Sequence, residues 1–318
     1  MVPIFFLCSC VHSLSQFIGS YDSKPLVVKT INLHRQKWDL AEITTLPAWQ
    51  SDWILRRERL EVFDSDLRSS KPDIVLIQEM MERDQNPSES DRNILSAAAL
   101  AGFDWSAKRI AQYSDSSEFE SLGLALAPPL RGQAFEDGDA DHWVMGKDGH
   151  LAAFLVQTPT EPIAVFNVSM PTDPTEWEPW YQFLNDSVKA FMAKHSLCEK
   201  RLIIGGYLPL SPTSPAYQRL LSELKLTDSS NGFCSVESDC YTTTQDNESF
   251  MAAEGTKPQV IGQVDRILAS EDSKFANVRV EFKASGSPSE YASGLQLTKI
   301  YAGRRFGWGA SISIPRCL

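Results

Sequence analysis

The fold prediction starts from one stretch of the sequence, Lys71-Pro72-Asp73-Ile74-Val75-Leu76-Ile77-Gln78-Glu79. Pro72 ends the segment before it, because the residue preceding a proline avoids the helical region of backbone space. The apolar run 74–77 predicts a strand that is buried on both faces. Gln78 and Glu79 follow this run, so the strand ends on polar side chains that a rigid sheet can hold at the rim of a cleft.

Further strands and helices are predicted on both sides of this strand. The β-branched run Leu26–Leu33 predicts an earlier strand, and residues 50–69 have the spacing of a helix. Later strands are predicted at 122–127, 151–157, 163–169, 201–205, 264–269, 275–282 and 310–314, and further helices at 93–101, 178–195 and 215–226. Because strands and helices are interspersed without a repeat or a flexible linker, we expect a single α/β (α+β) domain over residues 24–318.

The composition is that of an ordinary acidic globular protein. The 318 residues include 30 Lys and Arg against 41 Asp and Glu, which gives a net charge of −11, and 42% of them are hydrophobic. A chain of this length buries roughly 75% of its unfolded surface, so it needs no metal or disulfide to fold. Nucleic acid is an unexpected partner, because binding to phosphates depends on Lys and Arg.

Residues 1–20 form an apolar leader. The run Val2–Val11 is too short to span a bilayer and resembles the core of a signal peptide, although no Lys or Arg precedes it. A secreted and a cytoplasmic protein therefore both remain open. Four cysteines follow the leader without the spacing of a zinc site; Cys234 and Cys240 could close a short loop, and buried free thiols explain the same residues equally well.

Two strand ends carry oxygen ligands. Asn32 closes the first predicted strand and Glu79 closes the strand that began this section. An amide and a carboxylate at neighbouring strand ends suit one Mg²⁺ ion that keeps several of its waters. Each residue alone is also an ordinary strand terminator.

The order of several motifs resembles the endonuclease/exonuclease/phosphatase superfamily, to which deoxyribonuclease I and the neutral sphingomyelinases belong. The strand ending at Asn32 and the stretch 71–79 match the start of that pattern, with Trp53-x-x-Arg56 between them. The later matches, in order, are Gly123-Leu124-Ala125-Leu126, Val165-Phe166-Asn167-Val168, Ile203-Ile204-Gly205, Ser211-x-x-Ser214-x-Ala216-Tyr217-x-x-Leu220 and Val264-Asp265-Arg266-Ile267-Leu268. The resemblance covers residues 26–314.

This resemblance implies a four-layer αββα sandwich with a catalytic cleft at one rim. In active members a bound Mg²⁺ and a His-Asp arrangement activate water for attack on a phosphodiester. The metal-binding positions are occupied here by Asn32 and Glu79, and the aspartate of the family's Asp-Arg/Tyr-Ile pattern is Asp265.

Other catalytic positions of the family have changed. Ser169 stands where a histidine is expected, and the Gly-Asp-Phe-Asn turn reads Gly205-Gly206-Tyr207-Leu208. The closing Ser-Asp-His is matched by Gly303-Arg304-Arg305. A hydroxyl cannot deliver a proton near pH 7 as an imidazole can, and an arginine cannot act as a general base.

Several polar residues would still line the cleft. Asn32, His34 and Tyr207 are the candidates for binding a ligand. Arg304 and Arg305 either bind a phosphate or carboxylate or neutralise the retained acidic groups in place of a metal. Trp177, Trp180 and Tyr181 either line a pocket or belong to a helix core, and His142, His150 and His195 are expected on the surface or in loops.

We therefore expect a degenerate member that needs no cofactor and binds a small-molecule or lipid-like ligand, or performs metal-free chemistry, in the old cleft. One alternative is an active Mg²⁺-dependent phosphodiesterase, nuclease-like or sphingomyelinase-like, with an unusual site. Another is a secreted interaction protein. No transmembrane segment is predicted. A monomer is the default expectation, because the sequence does not specify an oligomeric state.

Overall fold

The structure is a computed structural model. It describes residues 24–32, 61–83, 102–112, 118–132, 142–145, 149–171, 173–234, 240–242, 263–282, 285–286, 300–301 and 307–317.

Two sheets form the centre of the molecule. The first has the order β12-β15-β1-β2-β4-β3, in which β1 and β2 run parallel and β1 and β15 run antiparallel. Its strands are β1 (Leu26–Asn32), β2 (Ile74–Arg83), β3 (Asp104–Gln112), β4 (Glu118–Leu126), β12 (Lys274–Glu281) and β15 (Gly307–Ser313). The parallel pair brings Asn32 beside Gln78 at one end of this sheet.

The second sheet has the order β10-β11-β9-β8-β7-β5, and β6 also pairs with β7. Its strands are β5 (Arg131–Gly132), β6 (His142–Met145), β7 (Gly149–Gln157), β8 (Ile163–Ser169), β9 (Leu202–Tyr207), β10 (Leu226–Asp228) and β11 (Asp265–Ser270). β7 and β8 form the antiparallel hairpin that the sequence predicts, and β8 and β9 run parallel. The short strands β13 (Ser285–Gly286) and β14 (Ile300–Tyr301) pair separately.

Helices cover the outer faces of the two sheets. Residues 61–70 (α1) pack Val62, Phe63 and Leu67 against the first sheet. The helices α2 (Trp177–Lys194) and α3 (Pro215–Glu223) cover the second sheet. α3 begins where the side chain of Ser214 accepts a hydrogen bond from the Tyr217 amide, a common N-cap arrangement.

Apolar residues fill the space between the sheets. Alternate positions of the facing strands, such as Val28, Leu76, Phe154 and Val165, form this inner core. Because each sheet buries its other face under helices, the molecule has four layers, helix–sheet–sheet–helix. The four-layer αββα prediction is confirmed.

Some predicted boundaries are wrong. β2 continues past Glu79, the predicted end of this strand, to Arg83, and β3 is a strand that the sequence does not predict. The predicted helix 215–226 ends at Glu223, and β10 (Leu226–Asp228) begins at the last residue predicted to be helical. The predicted helix 93–101 falls outside the described residues.

Two disulfide bonds join Cys198, Cys234, Cys240 and Cys317 in pairs. Cys198 pairs with Cys317, with 6.1 Å between their Cα atoms, and Cys234 pairs with Cys240, at 5.9 Å. The free-thiol interpretation of these residues is therefore wrong. Among the described helices none has the length and apolarity needed to span a bilayer.

Candidate functional site

Four polar side chains form a row across the end of the second sheet. Strand pairing places His150 of β7 opposite Ser169 of β8, Ser169 beside Tyr207 of β9, and Tyr207 opposite Asp265 of β11. Directly paired residues of neighbouring strands share one face of a sheet. We call His150, Ser169, Tyr207 and Asp265 the inner-face row.

The alternation of side chains shows that this face is the one turned toward the first sheet. Side chains two or four positions apart on a strand share a face. Ala152 and Ile267 lie two positions from His150 and Asp265, respectively. Val165 and Ile203 lie four positions from Ser169 and Tyr207. All four of these apolar residues belong to the inner core. All four members are buried. The inner-face row therefore lies between the two sheets, at the end where β1 stops at Asn32.

A buried hydrogen-bond network forms the floor next to this row. The Gln78 amide nitrogen donates to Asn167 Oδ1 at 2.6 Å and to Thr30 Oγ1 at 3.0 Å. Asn167 in turn donates to the carbonyl oxygens of Ile77, at 2.9 Å, and Gly123, at 2.8 Å. Asn167 lies two residues before Ser169 on β8, so the network joins the two sheets directly beneath the row.

Gly206 has no room for a side chain. Its φ is +140°, and a Cβ atom built there would lie 2.0 Å from the carbonyl oxygen of Val168 on the neighbouring strand. This is the position at which the family's Gly-Asp-Phe-Asn turn carries its aspartate. A carboxylate cannot occupy it without a shift of the backbone.

The segment after β9 is held against the helix layer rather than in the cleft. Leu208 is fully buried in the outer core with the helices. Arg266 Nε donates to the Leu208 carbonyl at 3.3 Å, and Arg266 Nη2 donates to the Leu210 carbonyl at 3.0 Å. Leu208, which stands where the family has an asparagine, therefore supplies no polar group to the cleft.

Arg266 is itself held by buried polar partners. Its Nη1 lies 2.7 Å from Asp228 Oδ2, which also accepts a hydrogen bond from the Tyr217 hydroxyl. Burial raises the pKa of Tyr217 well above its usual value, and the Asp228 carboxylate adds to the effect. The tyrosine therefore acts as a neutral donor in this cluster.

The start of β11 is fixed by a threonine. Thr242 Oγ1 accepts hydrogen bonds from the backbone amides of Val264, at 3.1 Å, and Asp265, at 3.2 Å. This contact holds the Asp265 backbone at the end of the inner-face row.

The predicted site residues are brought together only in part. Ser169, Tyr207 and Asp265 lie in one row, and Asn32 is buried at the end of the opposite sheet. Glu79 lies within β2, but its side chain is outside what the structure describes. His34, Arg304 and Arg305 also fall outside the described residues.

The described side chains include only part of the Mg²⁺ ligand set that the resemblance implies. Asn32 offers an amide oxygen from the first sheet and Asp265 a carboxylate from the second. In the part of the chain that is described, no three His, Cys, Asp or Glu side chains group in a way that could hold a metal ion. Gly206 offers no third ligand.

The sequence interpretation missed two residues at this site. His150, expected on the surface or in a loop, is buried in β7, so that expectation is wrong. The predicted hairpin contained the necessary signal, since extending its strand by one residue puts His150 opposite Ser169. The motif order places Asn167 on a predicted strand but does not indicate its contacts with the first sheet. Trp180 and Tyr181 belong to the outer core, so they do not line the cleft.

The fold is shared with several solved structures. Over 92% of this chain and 72% of the other, the crystal structure of an endonuclease/exonuclease/phosphatase from Beutenbergia cavernae matches with a TM-score of 0.57 and 12% identity. The mannosyl-6-phosphatase of Bacteroides thetaiotaomicron matches with a TM-score of 0.59 and 12% identity, over 90% of this chain and 99% of that enzyme. The human nocturnin catalytic domain, solved with a bound sulfate anion, matches with a TM-score of 0.57 and 11% identity, over 92% and 97%.

The chain therefore has the fold of the endonuclease/exonuclease/phosphatase superfamily, as the motif order predicts. No protein-family model and no curated protein matches the sequence. At 11–13% identity the structural likeness concerns the fold.

Proposed function

We propose that this chain binds a small ligand in the cleft between its sheets and does not perform the metal-dependent phosphodiester hydrolysis that the motif resemblance implies. The observation that carries this proposal is the backbone at Gly206. Its Cβ position overlaps the Val168 carbonyl, so the aspartate that the family has there cannot be accommodated. Loss of one catalytic acid or base typically lowers a rate by 10²–10⁴-fold.

The neighbouring substitutions support the same conclusion. Ser169 offers a hydroxyl where the family has an imidazole, and a hydroxyl cannot act as a general acid or base near pH 7 as an imidazole can. Leu208 contributes an apolar side chain to the outer core. Because the three changes affect one reaction, their effects do not simply multiply, but each removes a group that the reaction uses.

The polar groups that persist support binding of a small molecule. The inner-face row consists of polar side chains buried between the sheets, where each hydrogen bond is electrostatically stronger than in water. A nucleic-acid strand requires an open basic surface, which neither this row nor the net charge of −11 provides. A small-molecule or lipid-like ligand fits this environment better.

The test is a hydrolysis assay with a matched pair of variants. The protein is incubated with Mg²⁺ and, in turn, bis-p-nitrophenyl phosphate, DNA and sphingomyelin, with the Bacteroides thetaiotaomicron phosphatase and its own substrate as an assay control. We expect no product above background, and no difference between the wild type, Glu79→Ala and the control Glu271→Ala, which changes an exposed turn. Hydrolysis that Glu79→Ala abolishes and Glu271→Ala preserves would overturn the proposal.

A further inference from the structure

One asparagine of the sequence is followed by glycine, in the pair Asn231-Gly232. The backbone nitrogen of such a glycine can attack the side-chain amide carbon of the asparagine, because glycine has no Cβ atom to obstruct the approach. In the structure this pair lies in the turn after β10, and both residues are exposed. Solvent, which supplies the base and the water for this reaction, therefore reaches the pair.

Two backbone hydrogen bonds hold this turn, and neither uses the nitrogen that would react. The Asn231 amide donates to the Asp228 carbonyl at 3.1 Å, and the Phe233 amide donates to the Ser230 carbonyl at 3.1 Å. The second bond closes a type II turn, whose third residue, Gly232, has a φ of +78°. Among the described residues, neither the Gly232 amide nor the Asn231 side chain has a hydrogen-bond partner.

The space beside Gly232 is open. Apart from the residue itself and its chain neighbours, no heavy atom lies within 4 Å of the position that a Cβ atom would occupy there. A ring that forms between the side chain of Asn231 and the nitrogen of Gly232 therefore has room on this side of the turn.

Asn277 provides a comparison within the same chain. It is also exposed, but Val278 follows it, and the β-branched side chain of valine crowds the backbone nitrogen. The Asn277 amide nitrogen also donates a hydrogen bond to Ser311 Oγ, at 3.3 Å. The two exposed asparagines therefore differ both in the accessibility of the attacking nitrogen and in the freedom of the side chain.

We propose that Asn231 is a site of spontaneous deamidation. The Gly232 nitrogen loses its proton and bonds to Asn231 Cγ, the Cγ–Nδ2 bond breaks, and ammonia leaves, which produces a cyclic imide. Water then opens this ring. Attack on the side-chain carbonyl gives aspartate, and attack on the main-chain carbonyl gives isoaspartate. The net reaction consumes one water and releases one ammonia, so it needs no oxidant, reductant or enzyme.

The modification changes a turn that adjoins a contact between the two sheets. Ser229 donates its amide to the Ile267 carbonyl at 3.0 Å, and its hydroxyl accepts a hydrogen bond from Trp308 Nε1 at 2.8 Å. Aspartate adds a negative charge to the exposed turn, because a carboxyl group is ionised at neutral pH. Isoaspartate also inserts a carbon atom into the main chain, so the hydrogen bond from Phe233 to Ser230 cannot keep its geometry.

The first experiment maps the modification on the intact protein. The purified chain, with its disulfides unreduced, is held in mildly alkaline buffer, digested at intervals and analysed by mass spectrometry. We expect the peptide that contains Asn231 to gain one mass unit progressively, in two forms that chromatography separates, and the peptide that contains Asn277 to stay unchanged. No gain at Asn231, or an equal gain at Asn277, overturns the inference.

The second experiment separates the effect of the charge from that of the backbone. The aged protein is fractionated by ion exchange, and the melting temperature of the isoaspartate fraction is compared with those of fresh protein and of Asn231→Asp. We expect Asn231→Asp to melt with the fresh protein and the isoaspartate fraction to melt at a lower temperature. Asn231→Gln is the control, since aging should leave both its mass at this position and its melting temperature unchanged. An isoaspartate fraction that melts with Asn231→Asp overturns the structural consequence for the turn.

Discussion

At position 206 the backbone leaves no space for any side chain. The φ of +140° lies in a region that side-chain-bearing residues rarely adopt, and a Cβ atom built there would lie 2.0 Å from the Val168 carbonyl oxygen on β8. The amino acid at this one position therefore decides whether the turn after β9 can carry a catalytic carboxylate. Glycine is required by the fold, and the carboxylate is excluded by the same geometry.

Gly206→Ala is predicted to destabilise the protein by at least about 2 kcal/mol, since it combines backbone strain with a steric overlap. Gly102→Ala is the matched control: its φ is also positive, at +90°, but no heavy atom lies within 4 Å of the added Cβ. Gly102→Ala should lower the free energy of unfolding only through backbone strain, by about 1–2 kcal/mol. Urea unfolding measures both, and equal losses would show that β8 and β9 separate easily at this point.

The residues of the site differ in how far the sequence could predict them. Ser169 and Gly206 could be identified because motif order aligns them with known positions. The space around Gly206 could not, because the overlap with Val168 depends on the pairing of β8 with β9. The sequence could have indicated that His150 faces the inner core, because the two-residue alternation along β7 continues from Ala152 back to it. Its pairing with Ser169 follows only from the register of the hairpin.

At the scale of elements, Asn167 links the two sheets. Its amide group donates to two carbonyl oxygens of the first sheet and accepts from Gln78, which itself bonds Thr30. Buried polar groups that lose their partners cost about 1–3 kcal/mol each. The relative position of the sheets, and with it the width of the cleft, depends on this contact.

Asn167→Ala is predicted to lower the free energy of unfolding by about 3 kcal/mol or more, because it leaves the Ile77 and Gly123 carbonyls and the Gln78 amide without this partner. Asn185→Ala is the control, since Asn185 is also buried but its Oδ1 has no hydrogen-bond partner among the described residues. The control should lose roughly 1 kcal/mol or less. Urea denaturation decides the matter: a loss at Asn167 no larger than at Asn185 would contradict a bridging role.

Element prediction succeeded where burial was two-sided. The central strands β1, β2, β8 and β9 have nearly continuous apolar runs, which the sequence reveals. β3 has the sequence DWSAKRIAQ and lies at the edge of the first sheet. Edge strands of natural sheets commonly contain charged residues. The polar composition of β3 does not predict a strand. Its pairing with β4 in the sheet makes it one.

At the scale of the whole molecule, the C-terminus is tied to the second sheet's helix layer. The Cys198–Cys317 disulfide joins the segment after α2 to the end of the chain, and the Cys317 amide donates to Glu161 Oε2 at 3.1 Å. Arg201, buried beside it, donates to the carbonyls of Pro162 and Pro315. Disulfides persist in oxidising compartments, so this anchoring favours secretion over a cytoplasmic location as the proposed localisation.

The two disulfides are predicted to stabilise the protein unequally, because a disulfide restricts the unfolded chain more when it closes a longer loop. Cys198 and Cys317 are 119 residues apart, whereas Cys234 and Cys240 are 6 apart. In the chain-entropy account, removing the first bond by Cys198→Ser with Cys317→Ser costs about 5 kcal/mol of stability. Removing the second bond by Cys234→Ser with Cys240→Ser costs about 2 kcal/mol.

Thermal and urea unfolding of the two double variants, without reductant, measures the difference. The variant in which all four cysteines of these two bonds are replaced by serine is the control, and dithiothreitol should leave its melting temperature unchanged. If the short-loop variant loses as much stability as the long-loop variant, the stabilisation comes from native contacts around each bond rather than from the unfolded chain.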